Sequence, residues 1–232
     1  MGRRIFPLVL AVLLLLAGCR QEKPEESTRD GVSAGSVPIE LEPPDTTADG
    51  KLLFADYASF TGGYMEDGTG DMVENVAAVL VENLSDEYLE YASLTFEIEG
   101  KQAVFEVTGL TAGDAAWVLE KNRLQIDPDA DFRFVTSSCG YLQDVTRSRW
   151  ELMVTMSDGV LTARNNSEKA MHNVYVYYKR VHEDGNYFGG ITYRCDIGSL
   201  ESGEQKEAVA GHSSAQGCRI VKIEWNWEEQ TR

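Results

Sequence analysis

The sequence predicts an all-β protein: antiparallel β-sandwich structure, in one unit or two, behind a disordered N-terminal tether. Three observations predict it. From Lys51 onward apolar and polar residues alternate with the two-residue period of strands that bury one face. Gly, Asp and Asn punctuate these runs at roughly 8–15 residue spacing, the rhythm of sandwich loops rather than of βαβ units. After the first twenty residues, no segment sustains an amphipathic stripe over three helical turns; residues 111–123 hold one turn at most.

Composition narrows the function classes. The 232 residues carry 21 Lys and Arg against 38 Asp and Glu, a formal charge of −17. Such a chain lacks the basic patches that phosphate backbones and anionic lipid surfaces require, so nucleic acid is excluded as a partner. A hydrophobic share of 43%, with 8 Phe, 10 Tyr and 4 Trp, is enough to build a core.

The first element is a targeting segment, residues 1–18. Arg3 and Arg4 precede an apolar run from Ile5 to Leu16, broken only by Pro7. That run is too short for a bilayer-spanning helix but suits the apolar region of a signal peptide. Leu16-Ala17-Gly18-Cys19 then resembles the lipobox of bacterial membrane lipoproteins. The resemblance implies cleavage before Cys19, acylation of Cys19, and anchoring at the extracytoplasmic face of the cell membrane. Acyl chains contribute about 0.8 kcal/mol per buried methylene, and two or three of them hold stably.

Residues 19–50 are the lipidated Cys and an acidic linker. Pro24, Pro38, Pro43 and Pro44 stand among Glu, Ser, Thr, Asp and Gly, with few large apolar residues. This composition cannot offset the entropy of ordering.

Two β-units are expected next, residues 51–145 and 146–232, because an offset of 82 residues aligns one half with the other. Asn83-Leu84-Ser85-Asp86 falls on Asn165-Asn166-Ser167-Glu168, Leu89 on Met171, Leu94 on Val176, and Phe96 on Tyr178. After an insertion, Leu110-Thr111-Ala112-Gly113-Asp114 meets Leu200-Glu201-Ser202-Gly203-Glu204, and Phe132–Val135 meets Cys218–Val221. The order of strand, Asn-x-Ser turn, two strands, Leu-x-x-Gly-acid turn and last strand is similar to the small Ig-like modules of surface lipoproteins, such as the FxLYD type. The Phe-x-Leu-Tyr-Asp signature itself is absent. A single larger sandwich with generic turn chemistry is the alternative reading.

With Cys19 assigned to lipid, Cys139, Cys195 and Cys218 remain. In the repeat alignment Cys195 replaces Phe105 and Cys218 replaces Phe132, two core positions. A Cys195–Cys218 disulfide is therefore expected, with Cys139–Cys195 and Cys139–Cys218 as rival pairings.

Candidate ligand residues are aromatic. Trp225 and Trp227 lie two apart and share one face of a strand, while Glu224, Asn226 and Glu228 take the other; Tyr175 and Tyr177 form a similar pair, and Tyr187 lies in a Gly-rich turn. Aromatic platforms of this kind hold sugars or peptides. Asp127, Asp129 and Asp131 alternate as in calcium loops, but Phe132 and Ser138 stand where an EF-hand needs Gly and Glu. Glu66-Asp67-Gly68-Thr69-Gly70-Asp71 is a second acidic loop. No catalytic motif surrounds His172, His182 or His212, so no enzyme activity and no cofactor are expected. The reading is a surface interaction or structural module anchored to the membrane, with a protein or glycan partner in the cell envelope. The alternative is a glycan- or solute-binding lipoprotein that uses the aromatic residues of its second unit.

Overall fold

The computed structural model describes residues 45–227, apart from 144, 148 and 213–216. Residues 1–18 read as a signal segment, Cys19, most of the stretch read as a linker, and Glu228 lie outside the described residues. The described chain is all-β. Its strands are β1 (Leu52–Gly63), β2 (Met72–Asn83), β3 (Tyr88–Ile98), β4 (Lys101–Leu110), β5 (Ala115–Leu119), β6 (Phe132–Leu142), β7 (Leu152–Ser157), β8 (Val160–Asn165), β9 (Met171–Val181), β10 (Tyr187–Leu200), β11 (Gln205–Val209) and β12 (Cys218–Trp227).

One topology occurs twice. In β1–β6 the layers are β1-β2-β5 and β4-β3-β6; in β7–β12 they are β7-β8-β11 and β10-β9-β12. The alternation read from the sequence explains the layers: Ala92, Leu94, Phe96 and Ile98 of β3 all turn inward, as do Val174, Val176 and Tyr178 of β9. Each copy has its own core. Phe96 centres the first, with ring centroids 5.0 Å from Phe54, 5.4 Å from Phe105 and 5.4 Å from Phe134. Leu152, Leu161, Met171, Val176 and Tyr178 build the second.

The 82-residue offset reappears in the hydrogen bonds. The Asn83 amide donates to Glu87 O at 2.8 Å and Leu110 O at 3.0 Å, and accepts from Ser85 N and Ser85 Oγ. The Asn165 amide donates to Lys169 O at 2.7 Å and Leu200 O at 3.0 Å, and accepts from Ser167 N and Ser167 Oγ. Both backbones continue the match: Gly113 N donates to Asn83 O, and Gly203 N to Asn165 O. Leu52 pairs with Asn83 as Leu152 pairs with Asn165.

The copies join through strand pairing. β5 lies parallel to β10, with Tyr187 opposite Ala116 and Phe188 opposite Trp117, and this fuses two three-stranded layers into one sheet of order β1-β2-β5-β10-β9-β12. The other strand pairs are antiparallel. The first core also takes in Tyr187 and Val221 from the second copy.

Three expectations change. Residues 45–50 form a turn against β1 rather than free linker: Thr47 is buried and its Oγ1 accepts the Leu52 N–H. Tyr187 is 3% exposed and opens a strand, not a turn.

The third is the Cys195–Cys218 bridge, which the strand register forbids. β10 and β12 flank β9, with Cys195 opposite Val176 and Cys218 opposite Arg180. Two strand spacings alone separate the Cα atoms by about 9–10 Å, and the stagger along β9 adds to it. A disulfide tolerates roughly 4.4–6.8 Å. The alignment with Phe105 and Phe132 located core positions correctly, but facing one core is a weaker condition than bonding distance.

Candidate functional site

A cleft of about 490 Å³ opens beside the edge strand β12. The connection between β6 and β7 runs past this edge and is fastened to it: Ile223 N donates to Thr146 O at 2.8 Å. Thr146 and Arg149 of the connection form one wall; Tyr175 and Asn173 of β9, with Lys222 to Trp227 of β12, form the rest.

Strand alternation and one bulge place these side chains. On β12, Val221 and Ile223 face the cores, and Trp225 follows them, packing partly on the second core. Trp227 lies at the end of that row and is 41% exposed. The two indole rings stand perpendicular, at 89°, with centroids 5.8 Å apart. On β9, Glu224 pairs with Tyr175 but Asn226 pairs with His172, so Val174 and Asn173 together oppose Trp225. Asn173 takes φ 51°, a left-handed conformation that Asn adopts more readily than most residues. The bulge sets Asn173 at the cleft.

Two cations and one carboxylate line the cleft. Lys222 is 2.7 Å from Glu224 Oε1 and lies over the Tyr177 ring at 4.5 Å, while Tyr177 donates to Glu224 Oε2 at 2.7 Å. Burial opposes ionisation of Glu224, yet the hydrogen bonds from Lys222 and Tyr177 hold its carboxyl below the usual carboxylate range. Lys222 and Glu224 thus neutralise each other. Arg149 lies over the Trp225 ring, 5.9 Å from its centroid, and has no hydrogen bond or ion pair through its side chain among the described residues, whereas the neighbouring Arg147 is paired with Asp114. Among the described residues that line the cleft, it is Arg149 that is the cation without a carboxylate partner.

A second feature lies where the two copies meet. The β1–β2 hairpin is twice as long as its counterpart β7–β8, and its tip reaches the β5–β10 junction. Glu66 on that tip accepts the Leu119 N–H at 2.6 Å and the Gly190 N–H at 2.6 Å. Opposite, β10 departs from β9 between Phe188 and Tyr193. Lys179, fully buried, fills the gap and donates to Thr108 O, Gly190 O and Ile191 O at 2.9–3.0 Å. These three carbonyls use all three ammonium hydrogens. Burial pushes Glu66 up to about 7 and Lys179 down to about 7, and their mutual attraction resists both shifts. A cavity of about 290 Å³ adjoins them, lined by Tyr64, Glu106 and Lys121.

No family model matches the chain, and no curated protein matches it in sequence.

Of the aromatic candidates, the structure brings Trp225 and Trp227 together at the cleft and removes Tyr187 to the first core, where burial pushes its hydroxyl up to about 12. Asp127, Asp129 and Asp131 are exposed around a turn and do not converge; among the described residues no three His, Cys, Asp or Glu side chains gather to hold a metal. The second acidic loop is divided: Glu66 turns inward, and Asp67 binds Arg123 at 2.7 Å. The sequence reading missed Arg149, Asn173 and Lys179, and took Glu66 only as part of an acidic loop. Only the junction left a sequence signal, the Gly189-Gly190 doublet, which marks close backbone approach.

Proposed function

We propose that the chain is a membrane-anchored extracytoplasmic lipoprotein, acylated at Cys19, whose double sandwich is an interaction module. The cleft beside β12 is its contact surface. The observation that carries this reading is the cleft itself: an exposed Trp227 against Trp225, and over the Trp225 ring an Arg149 that has no ion pair among the described residues, on a strongly acidic chain. Exposed aromatics and Arg are the residues that supply most energy at contact surfaces. Shared strands, the Glu66 bonds and the Lys179 bonds hold both copies as one support for that surface.

The anchor is tested by labelling cells with an alkyne fatty acid. Wild type should label and sediment with membranes; Cys19→Ala should do neither, and persistent labelling would reject the anchor. The contact surface is tested with a photo-crosslinking residue at Trp227 and, as control, at Val209, which is 78% exposed on β11. Envelope material should crosslink at 227 in preference to 209; equal yields would reject the cleft.

A second reading, glycan or solute binding, is favoured by the edge-to-face Trp225–Trp227 pair, because the exposed Trp227 ring presents aromatic surface for stacking beside a second indole.

A further inference from the structure

The geometry points to an anionic saccharide as the occupant of the cleft, its sugar ring against the Trp225–Trp227 corner and its acidic group on Arg149. This assignment rests on the reading of the cleft as the contact surface and adds the ligand's chemistry.

Lys222 and Glu224 satisfy each other, so among the described residues that line the cleft Arg149 is the charge left for a ligand. A guanidinium binds carboxylate or phosphate in a bidentate fork, and no acid among the described residues occupies that fork. On a chain of −17 the site favours an anion locally against the field of the whole molecule. An occupant of that sign must therefore gain energy from contacts other than charge.

The walls supply those contacts and indicate a sugar. Flat CH-bearing ring faces stack on indole, and here one indole is half-buried and fixed while its perpendicular neighbour is exposed. Asn173, Asn226 and Thr146 also line the cleft, amides and a hydroxyl suited to a ligand rich in hydroxyl groups. Asn173 reaches this position through a left-handed residue in a bulge, a conformation with a cost that the local register maintains. A volume of about 490 Å³ accommodates an oligosaccharide.

An extended peptide fits less well. Peptides commonly add to a sheet by pairing with a free edge strand. The β12 edge is already occupied at its centre, where Ile223 N–H is bonded to Thr146 O. A strand could not pair there without displacing the connection.

The test is calorimetry and Trp fluorescence on the full chain with three probes: trigalacturonate, maltotriose and hexaglutamate. Trigalacturonate should bind and shift the Trp emission, and maltotriose should bind at least about tenfold more weakly, the difference one charged hydrogen-bonded pair provides. Arg149→Gln should remove that difference. Trp227→Ala should weaken both sugars, and Trp150→Ala, at a residue 73% exposed but outside the lining, should change neither. Thermal melts confirm that each variant is folded. Equal binding of the two sugars overturns the acidic group, tighter binding of hexaglutamate overturns the sugar, and no binding overturns both. In each of these cases crosslinking at residue 227 still tests the contact surface separately.

Discussion

Glu66 and Lys179 hold the same residue from opposite sides: Glu66 Oε2 accepts the Gly190 N–H at 2.6 Å, and Lys179 Nζ donates to Gly190 O at 2.9 Å. One side chain comes from a hairpin tip of the first copy and the other from a central strand of the second. Two of their other bonds, to Leu119 N and Thr108 O, reach the first copy, and the last, from Lys179 to Ile191 O, stays in the second. The pair replaces the strand hydrogen bonds that β10 gives up between Phe188 and Tyr193.

The first prediction concerns pH. Folding raises the pKa of Glu66 from about 4.5, so its contribution is fully present below that value and is lost as pH rises towards about 7. Folding lowers Lys179 from about 10.5, so its contribution is present above that value and is lost as pH falls towards about 7. Urea unfolding across this range should show wild type losing its advantage over Glu66→Gln between pH 4.5 and 7. Its advantage over Lys179→Met should grow less favourable from pH 10.5 down to 7. Parallel profiles would reject the burial of both charges. At neutral pH Lys179→Met should cost about 3–5 kcal/mol, because it removes three buried hydrogen bonds and leaves the buried Glu66 without its countercharge.

The second prediction follows from the matched turns. Asn83→Ala removes the donors to Glu87 O and Leu110 O, and Asn165→Ala removes those to Lys169 O and Leu200 O. Each should cost about 2–4 kcal/mol, since Leu110 O and Leu200 O lose a buried donor, while Ser85 Oγ and Ser167 Oγ still reach Glu87 O and Lys169 O. Asp at either position should cost more, because an ionised carboxylate cannot donate and would face two carbonyl oxygens. Unequal losses in chemical denaturation would show that the two turns do not carry equal weight.

The third prediction tests how firmly the copies adhere. Arg149 is exposed in the connection, so trypsin should cut there first among the described residues. The fragments should remain together on size exclusion, because β5 pairs with β10 and Tyr187 and Val221 sit in the first core. Fragments eluting separately would make the copies independent.

Much of this fold was legible because it is periodic. The alternation in Leu94-Thr95-Phe96 and the Asn-x-Ser turns are local signals, and turn chemistry at Asn83 and Asn165 survives in sequence because few residues can replace it. The junction was not legible. Under the 82-residue offset Lys179 corresponds to Glu97, which is exposed and bound to Arg133 at 2.6 Å. The same strand position is surface in one copy and interior in the other, and only the parallel pairing of β5 with β10 decides which. The cleft was half legible: two Trp at strand spacing are visible in sequence, whereas Arg149 approaches them through a connection without periodicity.

The fourth prediction concerns sulfur. Peptide mapping without reductant should recover no Cys195–Cys218 link, since the register holds these residues two strands apart. Burial pushes the Cys195 thiol up, so it should react slowly with alkylating reagents in the folded protein and promptly in urea. A linked peptide would contradict the pairing of β9 with both neighbours.

The last prediction bears on Gly190, where two backbones meet. A Cβ there would stand 1.8 Å from Glu106 O and 3.0 Å from Glu66 Oε2. The first contact is with backbone, which cannot rotate aside, so Gly190→Ala must push β10 away from β4 or stretch the bonds that Lys179 and Glu66 make to residue 190. Both routes open the junction, and the cost should exceed about 3 kcal/mol, beyond what overpacking at a yielding site produces. Gly140→Ala on β6 is the control: nothing lies within 4 Å of its Cβ, and stability should change by less than about 0.5 kcal/mol. Hydrogen exchange should show the loosening of Gly190→Ala at the β5 and β10 amides first, with the Asn83 and Asn165 turns still protected. Uniform loosening would mean that the junction has no separate role in holding the copies together.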